Sequence, residues 1–156
     1  SIGAASLTII ALANMFGAAY AGYLGGKYRK RTLLSLLYLG RGVLIACFVV
    51  IPLSDASVLV FSALMGFMWL GTVPLTSGVV AQIFGPRYMT TLFAVVYLSH
   101  QLGNFAGAWL GGYVFDTTGS YELVWWFAAA LGFIAAGLNA PLDDRPLTRN
   151  QLTTHA

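Results

Sequence analysis

Five runs of about 20 mostly apolar residues, each bounded by charged or turn residues, constrain this chain more than any other feature. A helix needs about 20 such residues to cross about 30 Å of hydrocarbon. The runs cover about 2–24, 32–53, 57–84, 89–115 and 121–140. The first ends at Gly25-Gly26-Lys27, the third breaks at Gly85-Pro86-Arg87, and the fifth stops before Pro141. The expectation is an all-α, polytopic transmembrane helix bundle over residues 1–141. A polar tail over 142–156, with Asp143, Asp144, Arg145 and Arg149, carries no functional motif.

Composition agrees. Apolar residues make up 58% of the chain and charged ones 8%, whereas a soluble domain carries about 25% charged residues. The mean hydropathy is +0.78. A net charge of +3 does not call for a polyanionic partner such as nucleic acid. The single cysteine, Cys47, cannot form an internal disulfide or a cysteine-based metal site, and reads as a small buried residue. No basic stretch precedes the first run and no small-residue cleavage pattern follows it, so that run does not read as a signal peptide.

The connections alternate in charge. Lys27, Arg29, Lys30 and Arg31 lie between the first and second runs, Arg87 between the third and fourth, and Arg145 and Arg149 after the fifth. The opposite ends carry only Asp55, Asp116 and Glu122. The positive-inside rule makes the basic side cytoplasmic, with Ser1 outside and Ala156 inside. Ser54-Asp55 and Ser120-Tyr121-Glu122 read as helix starts, with an acid in the first turn suiting the helix dipole. Tyr121, Trp125 and Trp126 read as aromatic anchors at the outer boundary.

Lipid gives helices no hydrophobic reason to associate, and small residues act instead by letting backbones approach. The fourth run carries Gly103, Gly107 and Gly111 at four-residue spacing, with Gly112 beside the last. Gly66, Gly71 and Gly78 mark the third run, and Gly3, Gly17 and Gly22 the first. Pro74, near the middle of the third, removes a hydrogen bond and clashes with the carbonyl of Leu70. Thr72, Thr76 and Ser77 stand ready to satisfy the freed backbone.

Polar groups inside a membrane are costly and need a reason. Tyr97, His100, Gln101 and Asn104 fall at i, i+3, i+4 and i+7 on one face of the fourth run. That face reads either as the lining of a cavity or as an interhelical hydrogen-bond network. His100 is the one side chain there whose ordinary titration range suits a proton relay. Arg41 lies ten residues past Arg31, about 15 Å deeper at 1.5 Å per residue. No acidic residue lies deeper than the first turn of any run, so its partner is backbone carbonyl, a carboxylate on another segment or an anionic solute. Tyr38 shares its face, and Asn14 stands near the middle of the first run. No metal-ligand cluster, phosphate-cradling loop or nucleophile–base pair is visible. The reading is therefore no enzyme, no cofactor and no metal.

Gly22-Tyr23-Leu24-Gly25-Gly26-Lys27-Tyr28-Arg29-Lys30-Arg31 resembles the cytoplasmic signature of the major facilitator superfamily, Gly-x-Leu-x-Asp-Arg-x-Gly-Arg-Arg. Gly26 replaces its Asp and Arg29 its second Gly, which suits the weaker copy between helices eight and nine. The stretch from Phe84 to Phe93, running into Leu98–Gly103, and the stretch from Gly107 to Gly112, running into Phe115–Tyr121, are similar to the eleventh helix of bacterial monocarboxylate-transporter-like members. The resemblance implies that the five runs are helices eight to twelve of a twelve-helix fold, with the N-terminal helices of the same transporter as partner. It implies a cavity lined by helices seven, eight, ten and eleven, hence by Asn14, Trp69, Thr72, Tyr97, His100, Gln101 and Asn104. Arg41 falls on a supporting helix and, with Pro74, Gly22, Lys27, Arg31, Gly103, Gly107 and Gly111, is a gating or structural candidate.

The expectation is an integral protein of the bacterial inner membrane that moves a small solute across the lipid bilayer by alternating access. The solute is expected to be an organic anion such as a monocarboxylate, with proton or ion coupling as a further option. Rival readings are a carrier of a neutral or cationic solute, a non-transporting membrane scaffold or assembly protein, and a membrane-embedded enzyme, which the missing catalytic cluster disfavours.

Overall fold

The computed structural model describes residues 2–145. Six helices follow one another: α1 (Ile2–Lys27), α2 (Lys30–Val50), α3 (Asp55–Trp69), α4 (Thr72–Phe84), α5 (Pro86–Thr118) and α6 (Glu122–Asn139). The part of the tail beyond residue 145, with Arg149 and His155, lies outside the described residues. Four segments are long and apolar enough to cross a membrane: α1, α2, the combined Asp55–Phe84 segment, and α6. With 33 residues α5 is long enough, but Ser99, His100, Gln101 and Asn104 in its middle dilute its apolarity.

The connections follow local chemistry. Ser54 and Ser57 form a reciprocal capping box at the start of α3, with Asp55 in the first turn. The Ser120 hydroxyl accepts from the Glu122 N–H at 3.1 Å where α6 begins. Gly85 and Gly119, at φ 79° and 70°, make the turns on either side of α5, a backbone conformation that L side chains rarely adopt. Pro86 follows at the first helical position, where its missing N–H costs nothing.

The third apolar run stays one membrane-long segment, Asp55–Phe84, with its helical hydrogen-bond ladder interrupted between α3 and α4 while Leu70 and Gly71 keep right-handed helical dihedrals. The break falls at Leu70-Gly71, four residues before Pro74, where the proline ring strips the carbonyl of its donor. That carbonyl accepts a tighter i→i+3 bond from Val73 N–H at 3.1 Å. The Leu70 N–H donates across the interface to Asn14 Oδ1 at 3.2 Å. Thr72 Oγ1 donates to the Trp69 carbonyl at 3.2 Å, and Ser77 Oγ to that of Pro74 at 3.1 Å.

Two helix pairs carry most of the packing, α1 with α3 and α2 with α6. Both rest on single glycines. A Cβ on Gly17 would collide with the Phe67 carbonyl, and one on Gly66 would lie 2.7 Å from the Ile10 carbonyl oxygen. A Cβ on Gly132 would lie 2.9 Å from the Gly42 Cα, and one on Gly42 3.2 Å from the Ala129 carbonyl oxygen. Ser35 Oγ ties the second pair to the Ala136 carbonyl at 2.6 Å. One apolar cluster holds Ala21, Leu34, Leu75 and Val79, and another Ile45, Met65 and Ala129.

The tandem glycines of α5, expected to pack, make almost no use of their groove among the described residues. Gly103, Gly107 and Gly112 would meet nothing within 4 Å, and Gly111 only Val124 at 4.0 Å. The two glycine-matched pairs exclude α5, which touches chiefly α4 and α6 and buries only Gly111. Cys47, expected to be buried, is exposed, because it lies on the side of α2 turned from the Gly42–α6 contact.

Candidate functional site

A cavity of about 680 Å³ opens between α1, α2, α3 and α6, at the point where the two glycine-matched pairs meet. Its wall is mostly apolar, with Ile10, Ile45, Phe61, Met65 and Leu131. Four groups with polar character converge on it: Asn14, Tyr38, Arg41 and Trp69. Phe61 and Trp125 form one end, joined with Phe48 in an aromatic cluster with ring centroids 4.1–5.9 Å apart. Trp125 therefore turns inward, whereas Trp126 and Tyr121 stay 44% and 49% exposed, as boundary anchors would.

Arg41 is half-buried in this cavity. Its guanidinium lies 5.0 Å from the Trp69 ring centroid and 5.7 Å from that of Tyr38. Among the described residues the ion pairs are confined to Arg29, Arg31 and Arg145 with Asp143 and Asp144, so Arg41 has no carboxylate partner there. Ring faces balance part of its charge and leave its five N–H donors unused. The structure thus joins Arg41, on the supposed supporting helix, with Asn14 and Trp69. The link is the α1–α3 crossing, which brings Asn14 to the helix break one residue beyond Trp69.

The polar face of α5 is a second, separate array. Asn104 Nδ2 donates to Gln101 Oε1 at 3.1 Å, and the Tyr97 and His100 rings stand 6.2 Å apart. All four side chains are exposed and lie outside the cavity lining. Thr72 turns to the Trp69 carbonyl, and Pro74 touches the space over Gly22 at 3.9 Å.

The basic end of the bundle is more ordered than a motif-free tail implies. Arg31 Nη1 donates to the Leu142 carbonyl at 2.7 Å. Asp144, 4% exposed, lies 3.5 Å from Arg29 and 4.0 Å from Arg31. Gln82 receives Lys30 Nζ at 2.9 Å and donates to the Asp144 carbonyl at 2.8 Å. Lys27 instead lies over the Tyr23 ring, 4.4 Å from its centroid. Sequence reasoning missed Asp144, Gln82, Gly42 and Gly132. The signal for Asp144 was an acid just after the fifth run, on the side of the loop that carries four basic residues. Gly42 and Gly132 were lone glycines without a repeat.

Comparison with known proteins gives a consistent result. The family model described as Major Facilitator Superfamily matches residues 1–156. The uncharacterized MFS-type transporter YfhI of Bacillus subtilis (strain 168) is 34% identical over 128 residues, covering 81% of this chain and 31% of that protein. The uncharacterized MFS-type transporter YcxA of the same organism is 26% identical over 143 residues, covering 88% of this chain and 34% of that protein. The chain spans about a third of the length of these curated relatives. No solved structure matches it.

Proposed function

Because this chain belongs to the major facilitator superfamily, we propose that it is part of a secondary transporter that moves a small organic anion, such as a monocarboxylate, by alternating access. Its helices stand for helices eight to twelve of a twelve-helix fold, and it works together with the N-terminal helices of that transporter. The basic loop and the tail lie on the cytoplasmic side of a bacterial inner membrane.

One observation carries the reading. Tyr97, His100, Gln101 and Asn104 share one face in the middle of α5, a helix exposed on nearly every side in this chain, at a depth where hydrocarbon would penalise all four. A water-filled solute path removes that penalty, and the other half of the transporter forms its far wall. His100 is the group on that face for proton coupling. The absence of any acidic residue from the interior of the apolar runs favours an anion over a cation.

The test is solute counterflow in proteoliposomes holding the full-length protein. Labelled pyruvate should exchange against an internal load of pyruvate, and not against an equal load of a neutral amide or an amine. Exchange of neutral or cationic solutes alone would refute the anion reading. No exchange with any solute would favour a scaffold.

A further inference from the structure

We propose that α4 is a lever. It turns about the Leu70–Gly71 interruption, Asn14 of α1 is the positioning residue that holds the angle, and Gln82 clasps the far end to the basic loop. The inference concerns the bundle itself and stands whether or not pyruvate exchanges.

Pro74 has no N–H, so the Leu70 carbonyl loses its usual donor and takes the Val73 N–H instead. The Leu70 N–H, which the next rung of α3 would give to the Gly66 carbonyl, goes to Asn14 Oδ1 at 3.2 Å. One side chain of α1 thus fills a place that the segment's own backbone would otherwise fill. The interruption is shallow. Leu70 sits at ψ −8° and Gly71 at ψ −24°, about 20–35° from the helical value. Without Asn14 the Leu70 N–H is left unpaired, at a depth where that is costly, unless the segment turns to bring the Gly66 carbonyl back within reach. Asn14 therefore sets the angle between α3 and α4.

The two sides of the interruption are held differently. On the α3 side the contact with α1 is backbone on backbone: a Cβ on Gly17 would collide with the Phe67 carbonyl, and one on Gly66 would lie 2.7 Å from the Ile10 carbonyl oxygen. On the α4 side the ends of flexible side chains make the contact. A Cβ on Gly25 would meet Leu75 Cδ2 at 2.8 Å, and one on Gly78 the Lys30 Cε at 2.8 Å. So α3 is fixed to α1, and α4 can turn. Gln82 lies 11 residues beyond Gly71, about 16 Å along the helix at about 1.5 Å per residue. A turn of about 10° displaces it by about 3 Å. That parts Gln82 from Lys30 Nζ, now at 2.9 Å, and from the Asp144 carbonyl, now at 2.8 Å. The state of the Asn14 bond is thereby carried to the basic end.

The test is a pair of double-mutant cycles on the full-length protein in mixed micelles. Asn14→Leu keeps the shape and removes the acceptor. It should lower the folded-to-unfolded ratio about 5–30-fold on unfolding by sodium dodecyl sulfate. Pro74→Ala restores the donor to the Leu70 carbonyl and lets the ladder run through. In that background Asn14→Leu should change the ratio by less than about twofold. A packing or solute-binding role for Asn14 would give the same loss in both backgrounds, and that additivity would overturn the proposal. If Asn14→Leu alone does not fold, recovery in the Pro74→Ala background supports the proposal, and failure there as well overturns it. The lever is read by amide hydrogen exchange. Asn14→Leu should speed exchange over residues 140–145 by about fivefold or more and leave that over 125–135 unchanged. It should add nothing in a Gln82→Leu background, where the clasp is already open. Unchanged exchange over 140–145, equal acceleration of both segments, or a further acceleration on top of Gln82→Leu would each overturn the proposal.

Discussion

Replacing Gly66 by Ala tests the packing on which the cavity depends. The new Cβ would lie 2.7 Å from the Ile10 carbonyl oxygen and 2.8 Å from the Ile10 Cα. Both are backbone atoms, so no rotamer change relieves the contact. Ordinary van der Waals contact begins near 3.4 Å, so α1 and α3 must separate by about 0.7 Å. Overpacking of this kind costs about 1–3 kcal/mol. A further loss comes one turn along the same crossing. The Asn14–Leu70 hydrogen bond, 3.2 Å long, would stretch beyond hydrogen-bonding range, forfeiting about 1 kcal/mol. The better helix propensity of alanine returns about 1 kcal/mol. The net loss is about 1–3 kcal/mol, or about 5–150-fold in the folded-to-unfolded ratio. The assay is unfolding of the full-length protein by sodium dodecyl sulfate in mixed micelles, followed by circular dichroism. Gly137→Ala is the control, because its Cβ would meet nothing within 4 Å, and it should be neutral or slightly stabilising. Equal midpoints for the two variants would refute the close-packed α1–α3 crossing.

Asn14→Ala should cost about 1–2 kcal/mol by stranding the Leu70 N–H at the helix break; an unchanged unfolding midpoint in the same assay would show that water replaces the side chain. In a Cys47→Ser background of the full-length protein, single cysteines at 97, 100, 101 and 104 should react with a water-soluble maleimide at least tenfold faster than one at 95, and equal rates would argue against an aqueous path along α5. His100→Ala should lower uptake more than expression, and undiminished uptake at normal expression would remove His100 from the solute path. Asp144→Asn should speed amide hydrogen exchange over residues 140–145 by severing the pairs to Arg29 and Arg31, as read by mass spectrometry. An unchanged exchange rate would mean that the Leu142 and Gln82 hydrogen bonds hold the segment unaided.

What the sequence made legible was local. Charge and turn residues bounded the helices, because capping and φ preferences act within a few residues: Ser54 with Ser57, Gly85 with Pro86, and Gly119 all behave as short-range rules require. The proline effect was legible too, but it surfaced at Leu70 rather than at Pro74 because the lost hydrogen bond belongs to the carbonyl four residues back. Pairing between distant helices was not legible. Glycine repetition pointed to α5, yet the tight contacts in this chain fall on unrepeated glycines: Gly17 and Gly66, which the first and third runs did mark, and Gly42 and Gly132, which nothing marked. One glycine suffices where two helices cross at a point, and only a long parallel groove needs a repeat. The surroundings of Arg41 were half legible. Its depth and lack of an acidic partner followed from spacing, but its neighbours Asn14 and Trp69 come from helices whose registers only the crossing fixes.

The α2–α6 pair also sets an order of assembly. Gly42 and Gly132, which meet at that contact, are separated by most of the chain, and synthesis proceeds at about 5–20 residues per second. Once α2 has emerged, its glycine face must wait about 5–20 seconds for its mate, while α1 and α3 close much earlier. During that interval Arg41 and Ser35 lack the wall that α6 later supplies. The segment that follows α6 then docks on Arg31 through Leu142 and Asp144. Completion of α6 is therefore the event that closes the α2 contact. A ribosome stalled before residue 122 would leave the Gly42 face of α2 without its partner helix.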